Sequence, residues 1–200
     1  MTEARTAPRR AVFLDRDGVL NEPVTVDGRP FAPDSVAGLV LTPGVEDSCA
    51  ALRRAGFLLI VVTNQPDISR GSLDRRAVDA INAELSRRLP LDDVLVCPHD
   101  DADGCRCRKP RPGMLLEAAA RWGVSLPDSV MVGDRWRDID AGREAGCRTV
   151  HVARGYDERP ARGADLVVVC LRDAVPWIVA LTPVPAGGGG PACGGSHREG

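Results

Sequence analysis

Four short apolar runs in this chain each end on a polar group able to do chemistry, and helix-patterned segments separate them. Residues 11–15 read AVFLD, 57–63 read FLLIVVT, 94–97 read VLVC, and 129–133 read SVMVG just ahead of Asp134. A run as uniformly apolar as 57–63 has no side to show to water, so it predicts a strand buried on both faces. Strands of that kind, alternating with helices, imply an α/β fold: a parallel sheet covered by helices on both sides. Ligands of such sheets bind beyond the carboxyl ends of the strands.

The intervening segments fit this plan. Thr42-Pro43 opens a helix with Val45, Cys49 and Leu52 on one face, stopped by Gly56. Residues 74–89 place Val78, Ile81, Leu85 and Leu89 at helical spacing. Further helices are expected over 112–122 and 138–145, with strands at 148–152 and 165–169. A last helix has Leu171, Val175, Ile178 and Leu181 on one face. Residues 24–31, with Asp27-Gly28 in the middle, predict a small hairpin. After Thr182 the chain runs PVPAGGGGPACGGSHREG, which has nothing to bury. One domain over 9–182 and a disordered tail over 183–200 are therefore expected, and His197 and Cys193 in that tail are given no ligand role.

Charge and composition exclude several classes. A formal charge of −2 offers no basic field to nucleic acid or to an anionic membrane, and aromatics at 4% leave little for stacking bases. No apolar run approaches the ~18 residues of a membrane span. The charged start of the chain leads into an apolar stretch cut short by Asp15, Arg16 and Asp17, unlike a signal peptide. A cytoplasmic protein is expected, with seven cysteines kept as thiols. No feature suggests an obligate dimer, so a monomer is expected.

The strand ends carry the chemistry. The first gives Asp15-Arg16-Asp17-Gly18, the second Thr63-Asn64-Gln65 and the fourth Gly133-Asp134; the third leads to Arg108-Lys109-Pro110. Each has a bland reading alone: a polar turn, a strand-end hydroxyl, a helix cap, a solvated lysine. Together, at one sheet edge, they describe a convergent polar site. Asp15 and Asp134 make a hard oxygen site suited to Mg²⁺, and Asp15 is placed as a nucleophile. Asp17 is the candidate general acid and base. Thr63 and Lys109 are placed to bind phosphoryl oxygens. Lys109 is the only lysine among 26 basic residues, and a compact ammonium suits a crowded pocket better than a guanidinium fork. Asp138 either orients the metal shell or caps its helix. Asn64, Gln65, Arg108 and Arg135 are expected to contact substrate.

These segments, DRDGVLNE, VVTNQ, CRKPRPG and VGDRWRDIDAG, resemble in order the four motifs of the haloacid-dehalogenase-like (HAD-like) phosphatases, over roughly residues 11–155. The resemblance implies a Rossmann-like sheet without a large cap domain, Mg²⁺ dependence and an aspartyl-phosphate intermediate. It makes Asp15 the nucleophile and Asp17 the proton donor. Asp15, the Asp17 carbonyl and Asp134 then hold Mg²⁺.

Cys97-x-His99, five residues, then Cys105-x-Cys107 offers three thiolates and an imidazole, a set that suits a closed structural Zn²⁺. Such an ion would brace a loop poor in apolar residues and hold Arg108-Lys109 in place. The remaining Cys49, Cys147 and Cys170 have apolar neighbours and are expected in the core. Two groups of HAD-like phosphatases share this loop: the heptose 1,7-bisphosphate 7-phosphatases and the histidinol phosphatases. TNQ followed by Ile68-Ser69-Arg70-Gly71, together with RKPRPGM, is similar to the first. The short loop and Pro66-Asp67 after TNQ depart from it. Removal of the 7-phosphate from a small sugar bisphosphate is the leading expectation, with Arg108 reading a second phosphate or hydroxyls. Histidinol-phosphate hydrolysis and a non-catalytic phospho-ligand module stand as alternatives.

Overall fold

The computed structural model describes residues 9–26 and 29–181. The expected tail, with Cys193 and His197, and the Asp27-Gly28 turn of the hairpin lie outside the described residues. Six parallel strands form the sheet: β1 (Ala11–Leu14), β4 (Leu58–Asn64), β5 (Asp93–Cys97), β6 (Val130–Gly133), β7 (Arg148–Val152) and β8 (Leu166–Val168), in the order β5-β4-β1-β6-β7-β8. The chain leaves β1 for one side of the sheet, then returns to fill the other from β6 onward. That reversal beside β1 is where doubly wound sheets open a crevice.

Alternation along each strand sorts side chains into two layers. Val12, Leu14, Leu59, Val61, Val130 and Val132 face one core. It is covered by α1 (Val45–Arg54), α2 (Arg75–Arg88) and α5 (Leu171–Ala180) through Leu52, Ile81, Leu85 and Ile178. Ala11, Phe13, Leu58, Ile60, Val62 and Met131 face the other, under α3 (Gly113–Trp122) and α4 (Trp136–Ala145). This two-sided burial is the physical reason the strands read as continuous apolar runs. A two-stranded hairpin, β2 (Val24–Val26) and β3 (Arg29–Phe31), stands between β1 and α1 in the place of a larger cap.

Some expectations shift. The first helix begins at Val45 rather than Thr42, because Thr42 Oγ1 is spent on the carbonyl of Val19 (2.8 Å) and Gly44 makes the turn into the helix at φ 75°. The α4 helix begins at Trp136, which puts Asp138 in its first turn instead of at its start. Cys49 and Cys147 are buried. Cys170, expected in the core, is only half-buried, since it starts α5 beside the sheet's outer strand β8, and its thiol donates to Asp173 Oδ2 at 3.3 Å. No helix of the described residues is long and apolar enough to cross a membrane.

Candidate active site

Register brings the strand ends nearly level. Leu14 pairs with Val61 and with Val132, so Asp15 ends the central strand one residue short of the level at which Thr63 and Asp134 leave the strands on either side. The Asp15 amide donates to the carbonyl of Val132 at 2.9 Å, fixing the backbone where β1 ends. Lys109 reaches the same spot from the segment before α3. Its buried Nζ donates to Asp138 Oδ1 (2.6 Å), to the Val62 carbonyl (2.7 Å) and to Asp15 Oδ1 (2.9 Å). Asn64 clamps the backbone of Lys109, with Oδ1 accepting from its amide and Nδ2 donating to its carbonyl, both at 3.0 Å.

Asp15, Asp134 and Asp138 place carboxylate oxygens within 4.8 Å of one another, all buried. Burial pushes Asp15 up to about 6 from its ordinary 3.8, against the pull of Lys109. Burial and the neighbouring Asp15 and Asp138 carboxylates push Asp134 well above its usual value. Burial alone would lower the Lys109 ammonium, but Asp138 and Asp15 hold it above its ordinary value. Asp134 Oδ1 is buried and has no hydrogen-bond partner among the described residues. An orphaned carboxylate oxygen within a trio of crowded acids is the donor set of a hard divalent cation.

Both side-chain oxygens of Asp17 accept hydrogen bonds within the protein. Arg16 Nη2 donates to its Oδ2 at 2.9 Å, Gln65 Nε2 to the same oxygen at 2.8 Å, and Asn21 Nδ2 to Oδ1 at 3.0 Å. That leaves its backbone carbonyl, not its side chain, for any metal role. Gln65 also donates to Thr63 Oγ1 at 2.9 Å, so the threonine's own hydroxyl hydrogen is free for a ligand. Gly18 has φ 86°, and a Cβ there would collide with Asp134 Oδ2. The turn after Asp17 therefore needs glycine on two counts.

These groups line a cavity of about 470 Å³, rimmed by Phe31 of the hairpin. Arg108 and Arg135, expected to contact substrate, both line it. Each is held by a carboxylate: Arg108 Nε donates to Asp101 Oδ1 at 2.8 Å, and Arg135 Nε to Glu158 Oε2 at 2.9 Å.

Sequence reasoning missed three residues here. Arg16 is fully buried and also donates to Asn82 Oδ1 of α2 at 3.0 Å. Arg137 pairs with Asp101 at 3.0 Å. Tyr156 donates to Asp134 Oδ2 at 2.7 Å. The only available hint was that Tyr156 is the sole tyrosine of the chain, just past the end of β7.

Beside this site, Cys97, His99, Cys105 and Cys107 converge. Five of the six separations among their Sγ and Nδ1 atoms are 3.2–3.7 Å, and all lie within 4.8 Å. A tetrahedron with arms of roughly 2.0–2.3 Å has edges of roughly 3.3–3.8 Å, so the four donors fit one tetrahedral ion. Burial pushes the Cys97 thiol up, and a cation would offset that cost of its thiolate. Asp101 in this loop ties it to Arg108 and Arg137.

A HAD-hydrolase-like family model matches residues 106–174. A D-glycero-beta-D-manno-heptose-1,7-bisphosphate 7-phosphatase of Bordetella bronchiseptica is 37% identical over 143 residues, covering 69% of this chain and 77% of the relative. A D-glycero-D-manno-heptose-1,7-bisphosphate 7-phosphatase of Thermosynechococcus vestitus is 36% identical over 194 residues, 86% of this chain and 96% of the relative. The crystal structure of the B. bronchiseptica D,D-heptose 1,7-bisphosphate phosphatase with magnesium and phosphate superposes with a TM-score of 0.73 at 30% identity, covering 85% of this chain and 98% of that one.

Proposed function

The chain belongs to the HAD-like phosphatases, hydrolases of phosphate esters, and from that membership we propose that it removes the 7-phosphate of D-glycero-D-manno-heptose 1,7-bisphosphate. The observation that carries this reading is the buried meeting of Asp15, Lys109 and Asp134 at the carboxyl end of the sheet, under a cavity sized for a sugar phosphate.

In the proposed reaction an Asp15 carboxylate oxygen attacks phosphorus, and the bond from phosphorus to the sugar oxygen breaks. Asp17, as general acid, passes a proton to that oxygen as it leaves. Asp17 then takes a proton from water, whose oxygen attacks phosphorus, breaks the bond to Asp15 and releases phosphate. Arg16, Asn21 and Gln65 hold Asp17 at a fixed angle throughout. The positive charge of Lys109, whose donors are held by the protein, and the Thr63 hydroxyl hydrogen stabilise the charge on the equatorial oxygens, the positioning and charge stabilisation that phosphoryl transfer chiefly requires.

Asp15 and Asp134 fit Mg²⁺, with Asp138 orienting the pair through Lys109; bound there, the ion would offset the crowded negative charge and polarise the phosphoryl group. The Cys97, His99, Cys105 and Cys107 set fits a structural Zn²⁺ that fixes the approach of Arg108 and Lys109. Arg108 faces the cavity, where a second phosphate can displace Asp101 from it and pair with its fork.

The deciding experiment compares kcat/KM for heptose 1,7-bisphosphate and histidinol phosphate by phosphate release. A preference of at least about 100-fold for the bisphosphate is expected; an equal or reversed preference overturns the substrate. Asp15→Asn must abolish turnover in a folded protein, and retained turnover would remove the nucleophile and with it the mechanism.

A further inference from the structure

Every carboxylate of the buried trio has at least one oxygen already taken. Asp15 Oδ1 accepts from Lys109, as does Asp138 Oδ1, and Asp138 Oδ2 accepts from the amide of Arg135 at 2.9 Å. On Asp134 the occupant is the Tyr156 hydroxyl, at 2.7 Å from Oδ2, while Oδ1 has no partner. The segment carrying Tyr156 is pinned on both sides of it. Arg154 donates to the Gly18 carbonyl (2.9 Å) and to Glu22 (3.0 Å), and Glu158 pairs with Arg135. His151 Nε2 bonds the Asp134 backbone carbonyl at 3.2 Å, which fixes the main chain from which that carboxylate projects.

We propose that the Tyr156 hydroxyl sets the cation preference of this site, by confining Asp134 to one free oxygen and so favouring Mg²⁺ over Ca²⁺. The inference rests on the Mg²⁺ reading of the carboxylate trio. Mg²⁺ takes six ligands at short distance and is content with single oxygens and water. Ca²⁺ takes six to eight and gains from carboxylates that offer two oxygens at once. Lys109 imposes the same restriction on Asp15, but it cannot be removed without losing the phosphoryl-binding charge. Tyr156 can lose its hydroxyl and keep its ring.

The test is calorimetric titration of MgCl₂ and CaCl₂ into wild-type and Tyr156→Phe protein dialysed free of both ions. Wild type should bind Mg²⁺ more tightly. Tyr156→Phe should shift the ratio of the two Kd values toward Ca²⁺ by roughly tenfold or more, the scale on which partners of metal ligands act. Arg154→Met, which loosens the segment but keeps the hydroxyl, should leave the ratio unchanged; an equal shift there would make the effect one of loop order and overturn the proposal. A ratio unmoved by Tyr156→Phe also overturns it while leaving the Mg²⁺ site standing. Absence of Mg²⁺ binding by wild type would sink the trio's reading and this proposal with it. A second measurement needs no variant: the infrared carboxylate stretches of wild type must show single-oxygen coordination with either ion, and two-oxygen coordination of Ca²⁺ overturns the argument.

Discussion

Lys109 Nζ stands 2.6 Å from Asp138 Oδ1, closer than the 2.9 Å to Asp15 Oδ1, and with the Val62 carbonyl these two oxygens use all three ammonium donors. Asp138 thus aims Lys109 at the proposed nucleophile. Lys109→Arg should cut kcat by roughly 100-fold or more, because a planar fork cannot send donors in those three directions within a buried pocket. Near-normal turnover in that variant would refute the shape argument. Lys109→Met should cost about 3–5 kcal/mol in denaturant unfolding, the usual scale for stranding a buried charge partner.

Gln65 ties the proposed acid to the phosphoryl-binding hydroxyl through one nitrogen. Gln65→Met should lower kcat about tenfold by freeing both Asp17 and Thr63 to turn, with Mg²⁺ affinity unchanged. Gln65→Glu should be worse, since it sets a carboxylate against Asp17 Oδ2, where an amide now donates at 2.8 Å. Steady-state kinetics on both variants, with Mg²⁺ titration alongside, checks the order.

How much of this was legible in the sequence follows the range of the interactions. The sheet and its two helical layers could be read because a strand buried on both faces writes itself as a local apolar run, as in residues 58–63. The convergence of Asp15, Thr63, Lys109 and Asp134 could be read because each follows such a run or a turn with its own signature. The partners of those groups could not. Asn64 grips the backbone of Lys109 from 45 residues away, and Tyr156 reaches Asp134 from a loop with no periodic pattern. Cys170 misled for a related reason: its apolar neighbours Val167 and Val169 belong to the sheet's outer strand and its end, where both are exposed.

The crowded acids should be visible as a stability cost in magnesium-free protein. Asp15 holds its proton up to about 6 in the folded state against an ordinary 3.8, so folding binds a proton in that window. Its contribution to stability is then highest below about pH 4 and falls as pH rises to about 6. Asp15→Asn mimics the protonated form. The Tm of this variant should match wild type near pH 4, exceed it progressively up to about pH 6, and keep a constant lead above that. A lead that shrinks with rising pH would mean the carboxylate is stabilised by Lys109 more than it is penalised by burial. MgCl₂ at neutral pH should raise the wild-type Tm and leave the variant nearly unmoved.

The two cysteines nearest Lys109 should not be equivalent. Cys107 lies two residues before Lys109, and its Sγ is 3.2 Å from that of Cys97 at the end of β5, so it ties the Lys109 segment directly to the sheet. Cys105 lies further out, beside the exposed part of the loop. Cys107→Ser and Cys105→Ser should both lose zinc by elemental analysis, from one equivalent per chain in the wild type. Both should also melt lower, because a closed four-ligand ion contributes directly to folding. Both should lower kcat through loss of the ion, and Cys107→Ser more, as the backbone of Lys109 two residues away drifts from the Asn64 clamp. Equal losses of kcat would mean the loop acts as one rigid unit, and a wild-type protein free of zinc would remove the ion from the account of this fold.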